Sequence, residues 1–157
     1  FLLQPYHTNV GKRLVKSPKL YFYDTGLAAL LLGIESAEQL YTHYLRGGLF
    51  ESMIISDVMK YYFNRDKLAH IYFWRDKAGN EVDCIVQKGQ SFIPIEIKSG
   101  RTVALDFFNG LTYFTENSRL MSTQSYIVYG GSETQDKSLG TAISWTSVDT
   151  IFERSQS

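Results

Sequence analysis

The sequence predicts a mixed α/β fold, a mixed central sheet flanked by helices. Three observations lead there. Residues 70–98 hold three short runs rich in apolar and β-branched residues, separated by the glycine-containing turns "DKAGN" and "KGQ". Arg46 to Phe63 places Leu49, Phe50, Met53, Ile54, Val58, Tyr61 and Tyr62 mostly at i, i+3, i+4, i+7 spacing, the mark of an amphipathic helix. A second helical stretch, Leu105 to Thr115, stands between the third strand and a fourth at Ser125 to Gly130. The order is therefore helix, three meandering strands, helix, strand.

Taken from the start, residues 1–18 read as a polar, basic lead-in that ends in extended chain at Ser17-Pro18. Leu20 to Tyr23 reads as an aromatic strand. A small helix over Thr25 to Leu32 follows, capped by Asp24-Thr25 and ended by Gly33. After the Arg46–Phe63 helix come strands at His70–Arg75, Glu81–Gln87 and Phe92–Lys98. Beyond the fourth strand, "AISWTS" reads as a short strand and Val148 to Glu153 as a terminal helical turn.

Composition narrows the function. With 157 residues and 44% hydrophobic content, the chain suits one domain with a real core. A single cysteine, Cys84, rules out an intrachain disulfide and a thiolate zinc site, and points to the cytoplasm. "LAALLLGI", the longest aliphatic run, is far short of the ~20 residues that span a bilayer, so no membrane partner is expected. A net charge of zero argues against a strong non-specific nucleic-acid binder. The charge is uneven, however: Lys12, Arg13, Lys16 and Lys19 all precede the first acid, Asp24. They form either a solvated arm or a phosphate-contacting strip. Arg75 is a further phosphate candidate, although pairing with Asp76 or Glu81 suits a strand-end arginine better.

The chemistry concentrates in "EVDCIVQKGQSFIPIEIKSG". Alternation puts Ile93, Ile95 and Ile97 on one face, and Pro94, Glu96 and Lys98 on the other. On the preceding strand it groups Val82, Cys84 and Val86, opposite Glu81 and Asp83. Glu96 and Lys98 then share a face with Cα atoms roughly 6.6 Å apart. A short turn brings Asp83 alongside, and Glu51 lies early on the preceding helix. Two close carboxylates form a site for Mg²⁺ or Mn²⁺, with the Ile97 carbonyl as a further oxygen. A lysine beside such a site positions water and offsets anionic charge, equipment for phosphodiester hydrolysis. The plainer reading is a surface ion pair between Glu96 and Lys98, worth about 0–1 kcal/mol.

Asp83 followed by Glu96-Ile97-Lys98, with Glu51 on a preceding helix, resembles the PD-(D/E)xK nuclease superfamily. "KSPKLYFYDTGLAALLLGI", "RGGLFESMI", "YFWRDKAGNEVDCIV" and "PIEIKSG" together look like the C-terminal domain of a family of predicted bacterial and archaeal AAA+ ATPases. The resemblance covers about Lys16 to Gly130. It implies a restriction-endonuclease-like αβββαβ core over residues 19–157. Residues 1–18 would connect it to an upstream winged helix and ATPase, and ATP would bind only there. No G-x-x-x-x-G-K-[ST] run occurs in this sequence. Carried over by residue, Asp83 and Glu96 are metal ligands, Lys98 is the catalytic lysine and Glu51 orients water or joins the metal shell. Val82 stands where the superfamily has proline. Three functions follow: a Mg²⁺- or Mn²⁺-dependent DNA nuclease, a catalytically silent nucleic-acid- or protein-binding module, or a domain that docks on the ATPase and limits its movement.

Overall fold

The computed structural model describes residues 1–6 and 17–154. A short antiparallel ribbon pairs β1 (Leu2–Leu3) with β2 (Lys19–Leu20). Helices α1 (Thr25–Leu31), α2 (Ala37–Thr42) and α3 (Arg46–Phe63) follow. The meander is β3 (Ile71–Arg75), β4 (Glu81–Lys88) and β5 (Ser91–Lys98). A 3₁₀ turn at Leu105–Phe108 runs into α4 (Asn109–Asn117). Then come β6 (Met121–Ser122), β7 (Tyr126–Tyr129), β8 (Gln135–Lys137), β9 (Gly140–Ser144) and α5 (Thr150–Arg154).

The main sheet runs β3-β4-β5-β7-β9-β8, with β6 beside β5. β3, β4 and β5 are antiparallel, β5, β7 and β9 are mutually parallel, and β8 closes the edge antiparallel to β9. The expected mixed sheet flanked by helices is observed. Two apolar clusters pack its two faces. On one, Ile54, Ile55 and Val58 of α3 meet Cys84, Val86, Ile93, Ile95 and Ile97. On the other, Phe108, Leu111 and Phe114 cover Val82, Ile85, Phe92 and Ile127. Each fully buried aliphatic or aromatic side chain contributes roughly 1.5–3 kcal/mol, so this sandwich fixes the strand positions.

Several elements differ from expectation for local reasons. The grouping of Val82 with Cys84 and Val86 fails, because the β3–β4 register shifts between Tyr72↔Ile85 and Trp74↔Val82. Phe73 thus faces both Asp83 and Cys84, a bulge that reverses the facing of the β4 start. Val82 consequently joins the α4 cluster while Cys84 stays on the α3 side. Residues 1–6 are no free lead-in: Leu3 is buried, and Tyr6 N–H donates to the Phe73 carbonyl at 2.8 Å. The strand expected through Tyr23 stops at Leu20, and serines of α3 take over. Ser52 Oγ bonds both backbone groups of Phe22, and Ser56 Oγ donates to the Tyr23 carbonyl. Asp24 caps α1 as expected, accepting from Leu27 N–H at 3.0 Å, and Gly33 past its end takes φ +71°. No described helix is long and apolar enough to cross a membrane.

Candidate functional site

The β4–β5 ladder ends at Cys84↔Ile95, where the bulge turns Asp83 out of register. Its carboxylate replaces the missing strand partner, with Oδ2 accepting the Ile97 N–H at 2.9 Å. In a strand the N–H and C=O of one residue leave by the same edge, so the Ile97 carbonyl faces this gap as well. The next residue points the other way: the Lys98 carbonyl accepts from Gly130 N–H at 3.1 Å, toward the end of β7.

Glu96 leaves β5 beneath α4. A Cβ added to Gly110 would lie 3.7 Å from Glu96 Oε2 and a tight 3.0 Å from the Glu81 carbonyl, so glycine eases the close approach of α4. Glu96 is 8% exposed. Its Oε1 accepts from Lys98 Nζ at 2.6 Å, whereas its Oε2 is buried without a hydrogen-bond partner. An unsatisfied carboxylate oxygen in a protein interior is costly unless something cationic meets it. The electrostatics agree. Burial, then the neighbouring Glu96 and Glu51, push the Asp83 carboxyl up to about 7. Burial also raises Glu96, partly offset by the Lys98 ammonium. For Lys98, burial opposes the charged form, but the bond to Glu96 and the charges of Glu96, Asp83 and Glu51 together outweigh it, and the net shift is upward.

A second acidic cluster adjoins the first and carries its own cation. Lys19 Nζ lies 3.1 Å from Glu51 Oε1 and pairs also with Glu81. The Tyr21 hydroxyl donates to the same Glu51 oxygen. Alternation along Lys19-Leu20-Tyr21 puts both donors on one side, and the α3 serines fix that segment. Burial and the Glu51 carboxylate raise the Tyr21 hydroxyl well above its ordinary value. Lys19 is held up by Glu81 and Glu51 against the opposing effect of burial.

The expected residues thus fall into two groups. Asp83, Glu96, Ile97 and Lys98 meet at the splayed ends of β4 and β5. Glu51 stands beside them with an oxygen committed to Lys19 and Tyr21. Lys19, read from the sequence as part of a solvated arm or a phosphate-contacting strip, pairs with Glu51 and Glu81, because β2 lays it across the acidic end of β4. Arg75 pairs with Glu81 at 3.4 Å, the alternative the sequence favoured. Lys12, Arg13 and Lys16 lie outside the described residues. Reading the sequence missed Tyr21, Glu81 and Gly110 as parts of the site; the two-residue spacing of Lys19 and Tyr21 was the available signal.

For a divalent cation the donor set fits in part. Glu96 Oε2 is unsatisfied, Asp83 is drawn toward protonation by burial and then by like charge, and the Ile97 carbonyl faces the same gap. That is a sparse oxygen set, the kind Mg²⁺ completes with retained water. No group of three or more His, Cys, Asp or Glu side chains among the described residues closes around a metal position. Glu51 Oε1 is engaged by Lys19 and Tyr21.

The chain resembles other sequences over most of this framework. Residues 46–148 match DUF4143, a domain of unknown function, and residues 1–38 match DUF8612, also a domain of unknown function. Uncharacterised proteins of Mycobacterium bovis and Mycobacterium tuberculosis are each 30% identical over 103 residues, 66% of this chain. The matched part is 22% of the length of those relatives. No solved structure matches. The DUF4143 match runs from the first turn of α3 past β9, and so contains Glu51, Asp83, Glu96 and Lys98. On that extent the chain belongs to the DUF4143 family.

Proposed function

We propose that this domain is a metal-dependent nuclease-like module with the PD-(D/E)xK arrangement, acting on phosphodiester bonds of DNA. The observation that carries the reading is Glu96 Oε2, a buried carboxylate oxygen with no partner, beside an Asp83 carboxyl whose ionisation is suppressed. A site at rest in this state gains by taking up a cation. Asp83, Glu96 and the Ile97 carbonyl would hold Mg²⁺ or Mn²⁺, which when bound supplies Lewis-acid polarisation of a phosphoryl oxygen.

The remaining work belongs to the chain. Lys98, whose ammonium donates to Glu96 Oε1, would orient a water or offset the developing phosphoryl charge. Glu51 steadies the edge of the site through Lys19 and Tyr21. The order α3-β3-β4-β5-α4-β7 supports the proposed αβββαβ assignment. An AAA+ ATPase in the longer protein would present the DNA, and ATP would act there.

Cleavage of plasmid or single-stranded DNA in millimolar Mn²⁺, lost in Lys98→Ala and Asp83→Ala with folding retained, supports this reading. Equal nicking by wild type and both variants contradicts it. A second reading rests on Lys19: an acidic cluster already neutralised from within suits a binding module without turnover. Metal-independent DNA binding, unchanged by Asp83→Ala, with no cleavage would favour that second reading.

A further inference from the structure

The parallel strands β5, β7 and β9 end together, and a cavity of about 420 Å³ opens at their carboxyl ends. Open sheets bind ligands at this end of their parallel strands, and the volume suits a small ligand. The floor is backbone. Gly130 N–H donates to the carbonyls of Lys98 and Gly100 at 3.1 and 2.9 Å. A Cβ on Gly130 would meet the Ser99 carbonyl at 2.6 Å, so glycine is required for this contact. On the other side, Arg46 Nη2 donates to the Ser99 carbonyl at 2.6 Å. The cavity floor and Lys98 are therefore parts of one braced loop.

Two side chains at the cavity stand out by what they lack. Arg101 is exposed, and its guanidinium has no hydrogen-bond or ion-pair partner among the described residues. Trp145 is 40% exposed and has no ring partner among them. Ser132 and Thr146 add hydroxyls, and Glu133 adds a carboxylate. An unpaired guanidinium suits a phosphate, and an open indole suits a planar base.

We propose that this cavity binds a nucleotide unit, with Arg101 on its phosphate and Trp145 stacked on its base. The assignment rests on nucleic acid as the partner in the proposed function, but on neither the metal nor cleavage. It gives the module a seat for the strand next to Lys98. Glu133 opposes the phosphate, so affinity is modest and sensitive to salt.

The chain has two tryptophans, and Trp74 is buried against Phe114. Trp74→Phe therefore leaves Trp145 as the reporting indole. In EDTA, titration with a short single-stranded oligo-dT is expected to quench its fluorescence saturably below about 1 mM. In the same background, Arg101→Ala is expected to weaken binding about tenfold and Glu133→Gln to tighten it severalfold. In the chain that keeps Trp74, Trp145→Ala is expected to weaken binding of labelled oligo-dT, read by anisotropy, about tenfold. Titration with dTMP separates the two sources of the chemistry: equal affinity marks a free nucleotide, weaker affinity a strand. Arg101 and Trp145 are exposed, so unchanged melting of each variant shows that folding is not what was read. No quenching at 1 mM, or quenching indifferent to Arg101→Ala, overturns the assignment. Because the titrations are made in EDTA, failure of the metal site leaves this result standing, and the reverse.

Discussion

Replacing Asp83 by Asn should make the metal-free protein more stable, although it removes a residue at the heart of the site. The Asp83 carboxyl rises from 3.8 to about 7 through burial and the neighbouring Glu96 and Glu51. Each pKa unit is worth 1.36 kcal/mol, so ionised Asp83 costs the fold on the order of 2–4 kcal/mol. Asn keeps an oxygen for the Ile97 N–H and carries no charge, while its amide can donate toward the carboxylates nearby. The sign follows from proton counting. Between 3.8 and about 7 the folded chain holds a proton that the unfolded chain has lost, so this group's contribution to stability falls as pH rises through that window. The gain from Asp83→Asn should be near zero at pH 4 and complete above pH 8. Urea denaturation of both proteins in EDTA at those two pH values measures it. A variant less stable than wild type at pH 8, or a difference independent of pH, would show that ionised Asp83 does not burden the fold.

Other perturbations have equally definite outcomes. Lys98→Met leaves Glu96 buried without its ammonium partner, and should lower stability at pH 8 by about 2–4 kcal/mol, an effect that Glu96→Gln in the same chain largely reverses; chemical denaturation of the two variants checks this. Lys19→Met removes the cation shared by Glu51 and Glu81 and should cost about 1–3 kcal/mol at neutral pH. Because the folded Lys19 is raised above 10.5, its contribution is complete below that value and fades as pH climbs past it, so melting curves of wild type and variant should converge in strong alkali. Gly110→Ala drives a Cβ to 3.0 Å from the Glu81 carbonyl and should destabilise by about 1–3 kcal/mol, read by thermal melting. Burial lifts the Cys84 thiol well above its usual range, so reaction with a disulfide reagent at pH 8 should wait on unfolding and accelerate steeply with urea.

Much of the frame was legible because periodicity speaks directly. The bounds of α3 coincide with the amphipathic stretch, and β3, β4 and β5 differ from expectation by a residue at an end. The Glu96–Lys98 pairing followed from two-residue spacing alone. What escaped the sequence was whatever depends on a partner. Val82-Asp83-Cys84 reads as plain alternation, and only the shift in register against β3 reveals the bulge. That bulge is what puts Asp83 on the Ile97 N–H. Lys19 reads as one more basic residue of an arm until β1 pairs with β2 and lays it on Glu51 and Glu81. Strand β8 (Gln135–Lys137) is polar and lies at the sheet edge, so it offers no apolar alternation to detect. Helix α2 has no buried residue at all, and hence no stripe.

The proposed function stands on a divalent cation binding among the carboxylates at the end of the β4–β5 hairpin. Mn²⁺ titration by calorimetry at pH 8 tests it most directly, using wild type, Asp83→Ala, Glu96→Ala and Glu51→Gln. Saturable binding is expected in wild type, with loss in Asp83→Ala and Glu96→Ala and retention in Glu51→Gln, since Lys19 and Tyr21 already engage that carboxylate. Heats from wild type no different from those of Asp83→Ala and Glu96→Ala at millimolar Mn²⁺ would contradict it.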